Sequence, residues 1–197
     1  MPDERVCPWW LAYTFDHALR RLIHKPEVML AGLVLPGQTV LDMGCGMGFF
    51  SLAMARMVGE KGRVLCVDLQ KKMLDALERR AQRAGLLPRM QLCQCRADRI
   101  GIRRPVDFAL SFWMVHEVPD QKALLAEVFS LLRPGARYLL VEPFIHVSAP
   151  AFRQTVEMAF ACGMEPCSEP CIRLSRSILF LKNDAGSGGC APGSGPA

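Results

Sequence analysis

The sequence predicts an α/β fold in three layers, with a mostly parallel sheet between two layers of helices. Three observations carry that prediction. Apolar runs alternate along the chain with segments of helical periodicity, the order that builds a parallel sheet. The runs themselves are nearly continuous, as strands buried on both faces require; Val64-Leu65-Cys66-Val67 and Tyr138-Leu139-Leu140-Val141 are examples. Finally, Thr39-Val40-Leu41-Asp42 passes through glycines at 44, 46 and 48 into helical spacing at Phe49, Phe50, Leu52, Ala53 and Met57. A strand, a bare backbone turn and a helix in that order make a ligand cradle, because glycine lets a ligand lie directly against the chain.

The elements follow in order. Residues 8–35 read as amphipathic helix, with Trp9, Trp10, Tyr13, His17, Leu19, Leu22 and Ile23 at helical spacing. Pro26 interrupts them, a second short helix starts at Glu27, and Pro36-Gly37 closes the region. The helix after the glycines runs to about residue 58, with Gly59 as its stop. A strand ends in Asp68, and a helix over 71–84 places Met73, Leu77, Ala81 and Ala84 on one face before Gly85. Strands are predicted at 90–95 and 106–112. A helix starts near Asp120, a good N-cap, and ends before Pro134-Gly135. A strand over 137–142 precedes a helix over 151–162 with Phe152, Val156, Ala159 and Phe160 inward. Two strand-like runs, 165–174 and 176–182, parted only at Ser175, predict a closing antiparallel hairpin. Residues 184–197 are rich in Gly, Ser and Pro and read as a disordered tail. Three units result: an N-terminal helical lid over 1–37, the main domain over 38–183, and the tail.

Composition excludes several classes. The chain has 197 residues, about one domain, and is 51% hydrophobic. The formal net charge is +5, but the arginines scatter and no long basic run carries interleaved aromatics. Solvated helix faces are the simpler reading, and nucleic acid is not expected as a partner. Nine cysteines make an odd count, and Met1-Pro-Asp-Glu-Arg5 leads into no apolar leader segment. Reduced thiols and a cytoplasmic location are therefore expected. Cys93-x-Cys95 and Cys167-x3-Cys171 lack zinc spacing, so no metal is expected. The longest apolar candidate, 28–35, falls far short of the ~18 residues of a membrane span.

The glycine loop also speaks to its ligand. A dinucleotide site reads G-x-G-x-x-G, because a pyrophosphate must reach the helix N-terminus. Here the spacing is G-x-G-x-G, with Asp42 two residues ahead of Gly44. A carboxylate beside the loop repels a pyrophosphate and suits a ligand with an ammonium group and no phosphate. Asp68, twenty residues beyond Gly48, ends the next strand where a βαβ unit offers a carboxylate to ribose hydroxyls. S-adenosylmethionine, with an amino-acid tail, a ribose and an adenine, meets both conditions. The triplet taken alone also fits a plain tight turn.

At this point the chain resembles the class I SAM-dependent methyltransferases, over roughly residues 38–143 and in five ordered segments. The resemblance implies a Rossmann-like fold with a seven-stranded sheet, S-adenosylmethionine as cofactor and S-adenosylhomocysteine as product. It implies that the loop of Asp42, Gly44, Cys45, Gly46 and Gly48 surrounds the amino-acid tail. Asp68 takes the ribose, Leu69 and Met73 lie near the nucleoside, and Asp98 in Arg96-Ala97-Asp98 lies on the adenine side. Asp98 also reads as a solvated loop acid. The segment 111–120, which opens with Ser111, a further cofactor-side candidate, is similar to the post-strand-4 segment of quinone-biosynthesis methyltransferases. Leu131-Leu132-Arg133-Pro134-Gly135 followed by Tyr138 to Glu142 resembles the family's passage into strand 5. Nucleic-acid adenine methylation is disfavoured, because Ser111-Phe112-Trp113-Met114 stands where those enzymes carry Asn/Asp-Pro-Pro-aromatic.

The expected reaction is methyl transfer to a small-molecule acceptor. Displacement at a sulfonium releases a neutral leaving group, so holding the acceptor aligned supplies most of the acceleration. His116 is the candidate base, since it follows strand 4 at the ligand edge and titrates near neutrality. Glu117 beside it either orients it or faces solvent. The alternative role for His116 is to cap its loop. Trp9, Trp10, Tyr13, His17, Trp113 and His116 are the candidate pocket residues; equally, the N-terminal helix packs on the sheet edge and Trp113 joins the core. Three other functions compete. A thiol or metalloid methyltransferase would use the cysteines, since soft acceptors bind thiolates. A non-catalytic SAM-binding module would keep the cofactor residues without an acceptor pocket. An NAD-dependent oxidoreductase would share Asp68, against the glycine spacing.

Overall fold

Side chains along each strand alternate between two faces, and both faces here are apolar. Val40, Val64, Cys66, Phe108, Leu110, Leu139 and Val141 belong to one buried cluster; Leu41, Leu65, Val67, Ala109, Tyr138 and Leu140 belong to another. A sheet apolar on both sides needs helices on both sides, which is the three-layer arrangement predicted. The computed structural model describes residues 23–183. Its elements are α1 (Pro26–Met29), β1 (Thr39–Met43), α2 (Ser51–Met57), β2 (Arg63–Asp68), α3 (Lys71–Arg83), β3 (Met90–Gln94), β4 (Val106–Phe112), α4 (Gln121–Leu131), β5 (Leu132–Pro143), α5 (Ala149–Ala161), β6 (Met164–Ser168) and β7 (Ser175–Lys182).

The seven strands form one sheet in the order β3-β2-β1-β4-β5-β7-β6. The pairs among β1 to β5 are parallel, and β7 runs antiparallel to both β5 and β6. Helices α2 and α3 cover the first face through Met54, Ala55, Leu74, Leu77 and Ala81. Helices α4 and α5 cover the second through Leu125, Val128, Leu131 and Ala159. Asp120 caps α4, its side chain accepting from the Ala123 N–H at 2.9 Å, and Ser148 caps α5 in the same way. Chain order reverses between β1 and β4, so the crevice of an open parallel sheet falls at their C-terminal ends.

The structure corrects the sequence reading in the second half of the chain. Phe160 is 61% exposed, while Ala159 and Thr155 are the residues α5 buries. Adjacent helical residues lie ~100° apart, so Ala159 and Phe160 do not share the inner face. The first hairpin run stops at Ser168; residues 169–174 form the connection, Leu174 takes a left-handed φ of 58°, and Ser175 already pairs with Pro143. Pro170 has no N–H to give a ladder, which favours the early stop. Strand β5 begins at Leu132, which pairs with Val106 ahead of a register shift. Lid residues Trp9, Trp10, Tyr13 and His17 and the tail over 184–197 lie outside the described residues. Among the described residues, no helix is long and apolar enough to cross a membrane.

Gly48 sits where the cradle meets α3. Its φ is +87°, and a Cβ there would stand 2.2 Å from Leu77 Cδ1 in the closed core. Replacing Gly48 with alanine is expected to destabilise the fold by about 2 kcal/mol or more, from overpacking added to left-handed strain. Chemical denaturation measures this, and an unshifted midpoint refutes the packing argument.

Candidate cofactor and acceptor site

The cradle is built by two strand ends and the loop between β1 and α2. Gly44, Gly46 and Gly48 all have positive φ, at 64°, 52° and 87°. A Cβ at Gly44 would touch Met114 at 2.9 Å, so the turn after β4 closes directly over the loop. A Cβ at Gly46 would meet nothing within 4 Å, so open space lies above that residue. The Cys45 N–H bonds the Val67 carbonyl at 3.0 Å and ties the loop to β2.

Two buried carboxylates hold this loop. Asp42 accepts a hydrogen bond from the Ser51 hydroxyl at the first residue of α2. Asp68 accepts from the Gly46 N–H through Oδ2 and from the Gln70 N–H through Oδ1, both at 2.8 Å. Burial pushes the Asp68 carboxyl up from its ordinary range, and the two N–H donors offset only part of that. A carboxylate has about four lone-pair sites, so two remain on Asp68 after these bonds. That number matches the two hydroxyls of a ribose. Leu69 follows Asp68 directly, and Met73 is buried with Met47 and Ala76 at the base of α3. The donor set fits S-adenosylmethionine, and the buried carboxylates of Asp42 and Asp68 flank the loop where a pyrophosphate would add further negative charge.

Other candidate residues stand elsewhere. Ser111 is fully buried, its hydroxyl 2.6 Å from the Tyr138 hydroxyl. Asp98 lies in an exposed turn and pairs with Arg96 at 3.1 Å. Trp113 packs against Phe112 and His24 and donates its indole N–H to the Ser175 hydroxyl at 2.9 Å. Its φ of 60°, held by a bond from its own N–H to the Val141 carbonyl, turns the chain sharply at the end of β4. The seven described cysteines are free thiols. Burial, then Cys66 and the carboxylates of Asp42 and Asp68, keeps the Cys45 thiol protonated; Cys95 is pushed up to about 11, chiefly by burial. Among the described residues, no group of three or more His, Cys, Asp or Glu is placed to hold a metal ion.

A second feature lies on the α4/α5 side of the same edge. The turn Val115–Glu117 follows Met114 and carries His116. The Nδ1 of His116 is hydrogen-bonded to the Glu142 carboxylate, and the other carboxylate oxygen accepts from the Val115 N–H at 2.8 Å. Glu142 is only 1% exposed. Burial pulls the imidazole pKa down, but the bond and charge of Glu142, with Glu117 adding, raise it overall. The orienting carboxylate is therefore Glu142, at the end of β5, with the neighbouring Glu117 contributing charge. His146 stacks parallel to His116 with ring centroids 6.0 Å apart. These two histidines, Glu142, Gln121, Gln154 and Thr155 line a cleft of about 220 Å³. The sequence reading did not single out Glu142 or His146. A signal for Glu142 was present, since it ends an apolar strand as Asp42 and Asp68 do; His146 lies in an irregular loop and had none.

Residues 40–135 match the family model described as a methyltransferase domain. The "Ubiquinone/menaquinone biosynthesis C-methyltransferase UbiE" of Vibrio vulnificus is 32% identical over 111 residues, covering 54% of this chain and 42% of that protein. The chain thus matches less than half the length of that curated relative. A SAM-dependent methyltransferase from Aquifex aeolicus has the same fold, with TM-score 0.80, 21% identity, and 90% and 100% of the two chains covered. A SAM-dependent O-methyltransferase from Thermotoga maritima aligns with TM-score 0.66 and 18% identity over 83% and 66%. Residues 40–135 are thus a methyltransferase domain, and with the glycine loop, the two acids at strand ends and this sheet order these likenesses support a class I SAM-dependent methyltransferase, with S-adenosylmethionine as cofactor.

Proposed function

We propose that this protein transfers a methyl group from S-adenosylmethionine to a small-molecule acceptor. The observation that carries the reading is Asp68, a buried carboxylate at the end of β2 with two lone-pair sites left beside an open glycine loop. Asp42, Gly44, Cys45, Gly46 and Gly48 would surround the amino-acid tail, Asp68 would take the ribose diol, and Leu69 and Met73 would border the nucleoside. When bound, the cofactor supplies a methyl group on a positively charged sulfur, and the methyl–sulfur electron pair stays on the sulfur. The protein then has to place an acceptor lone pair in line with that methyl group and exclude water. The likeness to a C-methyltransferase favours a carbon acceptor. The thiol or metalloid reading draws no support from Cys45, Cys66 or Cys95, whose burial favours the protonated thiol. The cleft at His116 supports an enzyme over a non-catalytic cofactor-binding module.

Calorimetry with S-adenosylhomocysteine tests the cofactor reading. The protein is expected to bind it, and NADH in parallel is expected to give no heat. Asp68→Ala is expected to weaken binding roughly hundredfold or more, from the loss of two hydrogen bonds to a charged acceptor. Preference for NADH, or full affinity in Asp68→Ala, refutes the assignment.

Affinity also depends on pH with a defined sign. The ionised Asp68 is the form with room for both ribose hydroxyls, and its pKa is raised. S-adenosylhomocysteine therefore binds more weakly as pH falls towards that raised value, and the loss begins above the range of an ordinary aspartate. Flat affinity across the same interval excludes Asp68 as the ribose acceptor.

Gly46→Ala separates binding from folding. Its Cβ would meet no protein atom. The expected cost in stability is only ~1–2 kcal/mol of left-handed strain, whereas S-adenosylhomocysteine affinity drops at least ~10-fold. Unchanged affinity in the folded variant shows that the ligand does not lie against this residue.

A further inference from the structure

We propose that Glu142 and His116 form a proton-accepting pair for the methyl acceptor, in which Glu142 is the positioning residue and the Nε2 of His116 takes the proton. The proposal rests on the methyl-transfer reading above and adds to it the class of acceptor: a small molecule whose reacting centre carries, or is conjugated to, an acidic O–H.

Geometry leads to the pair. Glu142 is held from two directions, by the Val115 N–H on one oxygen and His116 Nδ1 on the other. A carboxylate accepts only, so the imidazole must place its proton on Nδ1 whenever it is neutral. That leaves Nε2 as the ring atom with a free lone pair, on a residue that lines the cleft. The turn that carries His116 starts at Met114, the side chain lying over Gly44 of the cradle. The proton acceptor and the cofactor loop are thus separated by one short turn. The remaining walls are uncharged: polar at Gln121 on α4 and at Gln154 and Thr155 on α5, and apolar at Val147 and Ala151. The charged or titratable groups around the ring are Glu142, Glu117 and the stacked His146. In the step itself the O–H bond breaks, the proton goes to Nε2, and the electron pair stays on the acceptor, where it reacts at oxygen or at a conjugated carbon. The imidazolium so formed faces the Glu142 carboxylate and later returns its proton to water.

The test uses protein labelled with ¹⁵N in histidine, which has only four such residues. The His116 signals are assigned from His116→Gln. Above the titration midpoint, wild-type His116 is expected with its proton on Nδ1 and a bare Nε2. In Glu142→Gln the midpoint falls by about 1 pH unit or more, and the proton moves to Nε2, because the amide now donates to Nδ1. A proton on Nε2 in the wild type, or an unmoved midpoint in the variant, overturns the pair. If Glu142→Gln does not fold, the wild-type tautomer and the midpoint in Glu142→Asp decide. Catechol added with S-adenosylhomocysteine is the acceptor probe. It shifts the Nε2 signal and its dimethyl ether does not; an equal response to both, or to neither, overturns the acceptor role. S-adenosylhomocysteine binding is read in the same samples. The pair's signature without such binding defeats methyl transfer, and the acceptor role with it; binding without the signature defeats this proposal alone.

Discussion

A parallel sheet brings the C-terminal ends of its strands to one edge, and in this protein that edge is organised by buried carboxylates. Asp68 ends β2, and Asp42 and Glu142 stand next to last in β1 and β5. All three are buried. An ionised carboxylate is costly to bury unless it is hydrogen-bonded, so each draws donors from the chain nearby. Asp42 takes the hydroxyl at the start of α2, Asp68 takes the N–H groups of Gly46 and Gln70, and Glu142 takes those of Val115 and His116. The strands are rigid, being buried on both faces and paired on both sides. Each bond passes that rigidity to a loop that the sheet alone would leave free. A site on loops becomes a preorganised site by this means.

The two halves of the edge belong to opposite faces of the sheet. Asp42 and Asp68 follow Val40 and Cys66 on the α2/α3 side, whereas Glu142 follows Leu140 on the α4/α5 side. Something has to join them across β4. The joint is the turn after Phe112, where Trp113 adopts a left-handed backbone and Met114 reaches back over Gly44. Such a conformation costs about 1–3 kcal/mol in a non-glycine residue. It is held by backbone and indole bonds to Val141 and Ser175, that is, by β5 and β7. The antiparallel hairpin that closes the sheet thereby also supports the turn that connects the cofactor cradle to the cleft.

Local chemistry decided how much of this could be read from the sequence. Helix and strand identities followed from apolar period, and the cradle followed from glycine spacing and the acids at strand ends. Both signals sit within a few consecutive residues. The limits of the reading share a cause as well: they depend on contacts between distant segments. Glu142 acquires its role from a partner 26 residues away, and the adjacent Glu117 was the natural choice from sequence alone. Ser111 lies one strand from the cradle but faces Tyr138 across β4 and β5. Phe160 is apolar at a position where helical phase turns it outward. Register and phase, not residue type, separate these cases.

Asp68 shows how the backbone of a loop and a buried carboxylate hold each other. Its two backbone bonds satisfy part of the carboxylate and tie the Gly46 loop to the end of β2. They do not satisfy all of it: burial raises the carboxyl pKa, and the two bonds offset only part of that. The unmet part is a desolvation cost, and under the proposed assignment two hydroxyl donors would offset it without displacing either N–H. A diol bound there would gain affinity from a carboxylate already fixed in position. A pyrophosphate at the same place would add negative charge to Asp42 and Asp68 and deepen the cost. Ligand choice at this edge follows from that sign, and the carboxylates that hold the loops also set it.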